Sequence, residues 1–285
     1  MPTNKQQRLA AQRRLQRQLE KRAETARKRR RNLLVVVTVV AVVLVAGAVA
    51  LVAGLGGDDD SARAAASSSS APATDGTGAT AAPAVPNADG TVTCTYAPDT
   101  SGNPSLTDVG TPPDAASTPA SGTLGLLMST DQGDIPLTLD RTQAPCAAAS
   151  FAYLASVQFF DGSPCHREVN QPTFGVLQCG DPTGSGSGGP TYKFAEEVTP
   201  ETTYPRGTIA MANSGQPGST GSQFFLCFVD TQLPPDYTAV GTVDEAGLAV
   251  LDTIAAAGND GSFEPSPGGG APNLPVTITS MTVVA

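Results

Sequence analysis

Between Leu33 and Leu55 the chain runs for 23 residues without a charge, dominated by Val, Ala and Leu. As a helix such a run would extend about 34 Å, enough to cross a bilayer core of about 30 Å. A buried helix of a soluble domain rarely stays apolar on every side for that length, so the run reads as a membrane span. Arg27 to Arg31 crowd one flank and Asp58, Asp59 and Asp60 follow the other. The positive-inside rule then keeps the N-terminus cytoplasmic and puts everything after Gly56 outside. A cleaved signal peptide competes, because Ala46-Gly47-Ala48 and Ala48-Val49-Ala50 look like small-residue cleavage sites. The long basic segment and the length of the run favour a retained single-pass anchor in the plasma membrane.

Charge divides the chain at the same place. Residues 1–32 hold twelve Lys/Arg and two Glu, while the remainder holds five basic and 24 acidic residues. An acidic body repels phosphate backbones, so nucleic acid is excluded as a partner of the folded part. Residues 56–122 are mostly Ala, Ser, Thr, Gly, Pro and Asp. So few large apolar residues cannot offset ordering entropy, and the stretch reads as a disordered, flexible linker. One patch, Thr91-Val92-Thr93-Cys94-Thr95-Tyr96, has strand composition and is expected to dock on the folded domain.

That domain occupies residues 123–285. Leu124–Thr130 and Ile135–Leu139 flank Asp131-Gln132-Gly133-Asp134, a hairpin signal. Pro145 opens a helix with Ala147, Phe151, Leu154 and Val157 at helical spacing. Further strands are expected over Cys165–Val169, Phe174–Gln178, Thr208–Ala212, Ser222–Phe228, Tyr237–Val243 and Val276–Val284, with a second helix over Gly247–Ala257. Many strands with two separated helices predict a mostly β fold, a closed barrel whose ends the helices cap. Alternation within Ser222–Phe228 puts Gln223, Phe225 and Cys227 on one face and Phe224, Leu226 and Phe228 on the other. The second set suits a barrel interior; the first suits a binding groove.

From Phe160 to Phe228 short motifs recur in a fixed order: Phe160-Asp161-Gly162, Cys165-His166-Arg167, Gln178-Cys179-Gly180-Asp181-Pro182, Arg206-Gly207-Thr208, Met211-Ala212-Asn213 and Gly221-Ser222-Gln223-Phe224-Phe225. Each is weak alone, but the series resembles the cyclophilin family of peptidyl-prolyl cis/trans isomerases from about Leu124 to Val284. The resemblance implies an eight-stranded barrel with two helices, proline-containing polypeptides as substrates, and no cofactor or metal. It places Arg167 as the catalytic residue. The substrate groove would comprise Gln178, Ala212, Asn213, Gln223, Phe225 and Leu233. Amides at Gln178, Asn213 and Gln223 would hold the substrate backbone, and Phe225 and Leu233 would line the proline pocket. Three departures stand out. About three extra residues lie between Arg167 and Gln178, so Phe174 and Val176 stand in for the aromatic and methionine expected there. Gln232 occupies a position often filled by Trp, and Tyr237 one often filled by His.

An arginine suffices for the implied chemistry. Rotation about an X–Pro bond faces a barrier of about 18–20 kcal/mol set by amide resonance. A permanently charged donor aimed at the twisted amide favours the state in which resonance is broken, and no proton need be transferred. His166 is the chain's single histidine. In a strand it points away from the face that carries Arg167, and a metal site needs more ligands than it could offer. Gly184 to Gly189 match GxGxxG, but Pro190, Thr191 and Tyr192 follow in place of a helix, which argues for a loop beside the groove and against a dinucleotide site.

Five cysteines, Cys94, Cys146, Cys165, Cys179 and Cys227, lie beyond the apolar run. The absence of CxxC disfavours a thioredoxin-type oxidoreductase, a reading that rests on the cysteines alone. In the family-like register Cys227 stays free, and the other four pair as Cys165–Cys179 and Cys94–Cys146. Strand parity argues against the first pair, because with Arg167 and Gln178 both in the groove, Cys165 and Cys179 face opposite ways. The function expected is isomerisation of X–Pro bonds in exported proteins outside the plasma membrane. A non-catalytic proline-motif binding module or holdase chaperone on the same fold is the alternative.

Overall fold

A computed structural model describes residues 84–284. The apolar run 33–55 and the basic segment lie outside the described residues. Among the described residues no helix is long and apolar enough to cross a membrane.

Eight strands carry the domain: β1 (Thr123–Thr130), β2 (Gly133–Asp140), β3 (Arg167–Gln171), β4 (Phe174–Cys179), β5 (Thr208–Met211), β6 (Phe224–Cys227), β7 (Ala239–Val243) and β8 (Ile278–Val284). They form one antiparallel sheet in the order β8-β1-β2-β7-β5-β6-β4-β3. Period-2 burial is clearest in the first hairpin, where Ile135, Leu137 and Leu139 are buried and Asp134 is exposed. Asp131 and Gln132 make its turn, and Gly133 leaves it at φ +130, a region a β-carbon would strain.

The expected closed barrel is corrected at one seam. No ladder joins β3 to β8; the sheet is curled and open there. Short rungs cross the gap, from Gly162 N–H to the Ile278 carbonyl (2.7 Å) and from Cys165 N–H to the Val276 carbonyl (2.9 Å). The pairing there is limited to these bonds and the Pro164–Thr277 bridge, where Ile278 N–H donates back to the Ser163 carbonyl at 2.8 Å.

Helix α1 (Pro145–Ser156) and helix α2 (Glu245–Ala257) pack on this sheet, α1 against β8 and α2 against β2. Pro at the first turn suits α1 because its missing N–H would be unpaired anyway. The next two N–H groups, of Cys146 and Ala147, donate to the Glu197 carboxylate at 3.0 and 2.8 Å. Val157, expected on the buried face, falls just past the helix end and is 41% exposed. Inside the curl, Phe151 of α1 meets Phe160 and Phe224 with ring centroids 5.2 and 4.8 Å away. Leu248, Leu251 and Ile254 of α2 complete the same core.

Residues 84–122, part of the stretch whose composition reads as a flexible linker, are built onto the domain instead. Ala97–Pro98 pairs antiparallel with Tyr192–Lys193, and Leu106–Thr107 pairs parallel with Gly189–Pro190. Cys94 is disulfide-bonded to Cys146, and Tyr96 packs edge-on against Tyr192 and Phe194. A covalent tie and one half-buried aromatic thus order a segment that its average composition would leave loose. The patch around Cys94 docks as expected.

Cys165 is bonded to Cys179, and Cys227 is free and buried. The parity objection fails because β3 begins only at Arg167. Cys165 lies outside that ladder, on the segment rung to Val276, so strand alternation does not apply to it.

Glu168 on β3 is fully buried. Its Oε1 accepts from Asn170 at 3.3 Å, and Oε2 has no partner among the described residues. Burial raises its pKa, against the Asn170 hydrogen bond. A carboxyl raised in the fold contributes stability that is complete below its unfolded pKa, about 4.3, and is lost as pH rises through the folded value. The difference in melting temperature between Glu168→Gln and the wild-type chain should therefore grow in favour of Gln from acid to neutral pH. A difference independent of pH would show that Glu168 does not titrate this way.

Candidate active site

The outer face of β3, β4 and β6 builds the site. Arg167 and Gln178 are directly opposed in the β3–β4 ladder, and Gln178 opposes Phe225 across β4–β6. This register fixes an amide relay. Arg167 Nη1 donates to Gln178 Oε1 at 3.1 Å, and Gln178 Nε2 donates to Gln223 Oε1 at 2.9 Å. Gln223 Nε2 in turn donates to the carbonyls of Gly186 and Gly188, each at 3.0 Å.

The guanidinium is held from the other side by backbone. Nε donates to the Gly268 carbonyl at 3.0 Å and Nη2 to the Pro267 carbonyl at 2.8 Å. Three of five N–H donors are thereby committed to orientation, which leaves two for a ligand. The Phe174 ring centroid lies 6.0 Å from Cζ, at the limit of a cation–π contact. Burial draws the Arg167 pKa down, opposed by Tyr237 and Glu264. Guanidinium stays charged in proteins nonetheless.

Beside this charge lies an apolar wall. Val176 and Phe225 are buried, and Phe174, Ala212, Leu233 and Tyr237 pack half-buried against them. Phe225 and Tyr237 meet edge-on with centroids 5.5 Å apart. Asn213 sits at the rim, its Nδ2 donating to the Asp236 carbonyl at 2.8 Å. The structure therefore gathers Arg167, Phe174, Val176, Gln178, Ala212, Asn213, Gln223, Phe225, Leu233 and Tyr237 around one groove. The faces of β6 follow alternation: Phe224, Leu226 and Phe228 enter the main core, and Phe225 and Cys227 face the groove cluster. Cys227 is fully buried in this cluster, and burial pushes its thiol up to about 12.

Several contributors carried no sequence signal. Tyr204, between Thr203 and Pro205, shows no periodic pattern, yet its hydroxyl donates to the Tyr237 carbonyl and accepts the Tyr237 N–H, both at 2.9 Å. It thereby fixes the loop that carries Leu233. Pro267 and Gly268 reach Arg167 from 100 residues away. The glycine-rich loop has a specific cause as well. Burial raises the Asp181 carboxyl, but hydrogen bonds from Thr183, Gly188 and Gly186 outweigh it and hold the pKa low. A β-carbon on Gly188 would lie 1.9 Å from Asp181 Oδ1, so only glycine fits. His166 borders this loop, away from the groove, and both its ring nitrogens lack partners among the described residues. Burial lowers its pKa, which favours neutral imidazole. Among the described residues no group of three His, Cys, Asp or Glu could hold a metal ion.

The family model for the cyclophilin type peptidyl-prolyl cis-trans isomerase/CLD matches residues 126–283. The chain is 44% identical over 183 residues to the probable peptidyl-prolyl cis-trans isomerase B of Mycobacterium leprae, covering 60% of each protein. With the probable peptidyl-prolyl cis-trans isomerase A of the same organism it shares 36% identity, covering 55% of this chain and 90% of that one. The chain thus spans less than two thirds of the B-type relative. A cyclophilin type peptidyl-prolyl cis-trans isomerase from Cryptosporidium parvum superposes with a TM-score of 0.50 at 27% identity, covering 57% of this chain and 99% of the other. With the family match spanning both faces of the groove and the whole eight-stranded sheet apart from its first and last residues, the chain belongs to the cyclophilin-type peptidyl-prolyl cis-trans isomerase family.

Proposed function

We propose that this protein isomerises X–Pro bonds in exported polypeptides, with its folded domain held outside the plasma membrane by residues 33–55. The observation that carries the reading is Arg167, a charge fixed by three hydrogen bonds with two N–H groups to spare, set against an apolar pocket. A proline ring between Phe225, Leu233 and Val176 would bring its amide to those N–H groups. Donation to the twisted amide stabilises the state in which resonance is lost, and water exclusion by the apolar wall strengthens the bond. Gln178 and Gln223 would orient the arginine and hold substrate backbone. No step moves a proton or requires a cofactor.

The test is an exchange or protease-coupled assay on a proline peptide with the full-length chain in detergent. Acceleration above the uncatalysed rate supports an enzyme. Binding without acceleration would favour the rival proline-motif module or holdase.

The location rests on the uncharged run, its basic flank, and two disulfides, which suit an oxidising compartment. Membrane-impermeant thiol labelling of intact cells should reach cysteines engineered between positions 60 and 80 and none between 1 and 30. Labelling of the N-terminal positions would reverse the orientation. Release of a protein starting near Leu51 would indicate cleavage.

A further inference from the structure

Next to the proline pocket the groove opens into a cavity of about 500 Å³, within the range of about 300–1,000 Å³ typical of ligand sites. Gln178, Ala212, Asn213 and Gln223 line it, so it is continuous with the groove that holds Arg167. Its opposite wall comes from Asp99, Ser101, Asn103 and Leu106. Those four residues lie outside residues 126–283, the part that matches the family model. They belong to the segment that composition alone would leave flexible.

That wall is fastened, not draped. The two short strand pairings at Ala97–Pro98 and Leu106–Thr107 bracket it. Asp99 N–H donates to the Thr191 carbonyl at 2.8 Å, and Asn103 Nδ2 donates to the Ser187 carbonyl at 2.8 Å. The Cys94–Cys146 disulfide anchors the segment just upstream. A wall fixed at both ends can discriminate between ligands, because moving it would break these bonds.

We propose that residues Asp99–Leu106 are a specificity element, forming one side of a second subsite that binds an uncharged side chain flanking the X–Pro bond of the same polypeptide. The inference rests on the isomerase reading for its substrate class. Charge supports the choice of occupant. Asp99 and Lys193 are the charged residues lining the cavity, and they neutralise each other at 3.9 Å. An uncharged side chain with an apolar body finds Leu106 and Ala212 beneath it and the amides of Asn103 and Asn213 at the edge. A charged side chain meets a site whose two charges are already matched, and its lost hydration goes uncompensated.

The experiment compares kcat/KM of the full-length chain on a short X–Pro tetrapeptide and on a longer peptide with the same core and Gln or Glu at the flanking positions. Leu106→Trp, which fills the cavity, should leave the tetrapeptide unchanged and lower the long Gln peptide by about tenfold, the scale of one lost pocket contact. Asp99→Ala frees Lys193 and should raise the Glu-to-Gln ratio severalfold, a gain that misfolding cannot imitate. Equal loss on short and long peptides in the first variant, or an unchanged ratio in the second, would overturn the proposal. If the wild-type chain turns over neither peptide, the isomerase reading fails separately. The same comparisons made on peptide affinities then decide whether the subsite exists.

Discussion

Arg167→Ala is expected to lower kcat/KM for a proline peptide by about 10²–10³, the usual effect of removing one donor aimed at a transition state. The fold should survive, because Arg167 contributes no packing to the main core; Phe151, Phe160 and Phe224 lie on the far side of the sheet. Peptide affinity should fall much less than turnover, since Phe225, Leu233 and Val176 still form the pocket. Arg167→Lys should recover little of the loss. A lysine keeps the charge but cannot hold Gln178 and the Pro267 and Gly268 carbonyls while presenting two further N–H groups. Thermal unfolding of both variants, run beside the kinetics, separates lost chemistry from lost structure.

Adjacent residues on β6 should give opposite phenotypes. Phe224 is fully buried and packs against Phe151 and Phe160, with ring centroids 4.8 and 5.8 Å away. Phe224→Ala should cost about 3–5 kcal/mol of stability, the range for deleting a large aromatic from a packed core. Phe225→Ala empties a wall of the groove instead, and should raise the peptide Kd and lower turnover with a smaller stability loss. Denaturant unfolding and peptide titration on both variants check this, and exchanged phenotypes would mean that the faces of β6 are misassigned.

The parts of the site that were legible in the sequence share one property: they follow from strand periodicity or from local motif. Alternation over Ser222–Phe228 separates Phe224 from Phe225 without reference to any other element, and the main core and the groove divide along that line. Likewise Pro145 and the spacing of Phe151 and Leu154 specify α1 locally. What stayed hidden depends on distant partners. Glu197 caps α1 from 50 residues away, and Tyr204 holds Tyr237 from 33 away. Nothing near Arg167 announces that Pro267 and Gly268 will orient it. The strand-parity objection to Cys165–Cys179 assumed a regular ladder through Cys165, whereas the strand begins only at Arg167. The segment from 84 to 122 was obscured for a different reason. Composition averages over forty residues, whereas one disulfide and Tyr96 decide its order.

Exchange NMR on a proline peptide tests the central claim most directly, because it reads the cis/trans interconversion rate of bound and free peptide without a coupling enzyme. At matched peptide saturation, the wild-type full-length chain should accelerate exchange far above the uncatalysed rate, and Arg167→Ala should bind the peptide yet accelerate it little. Equal acceleration by both proteins would contradict the role given to the guanidinium, and no acceleration by the wild-type chain would contradict catalysis itself.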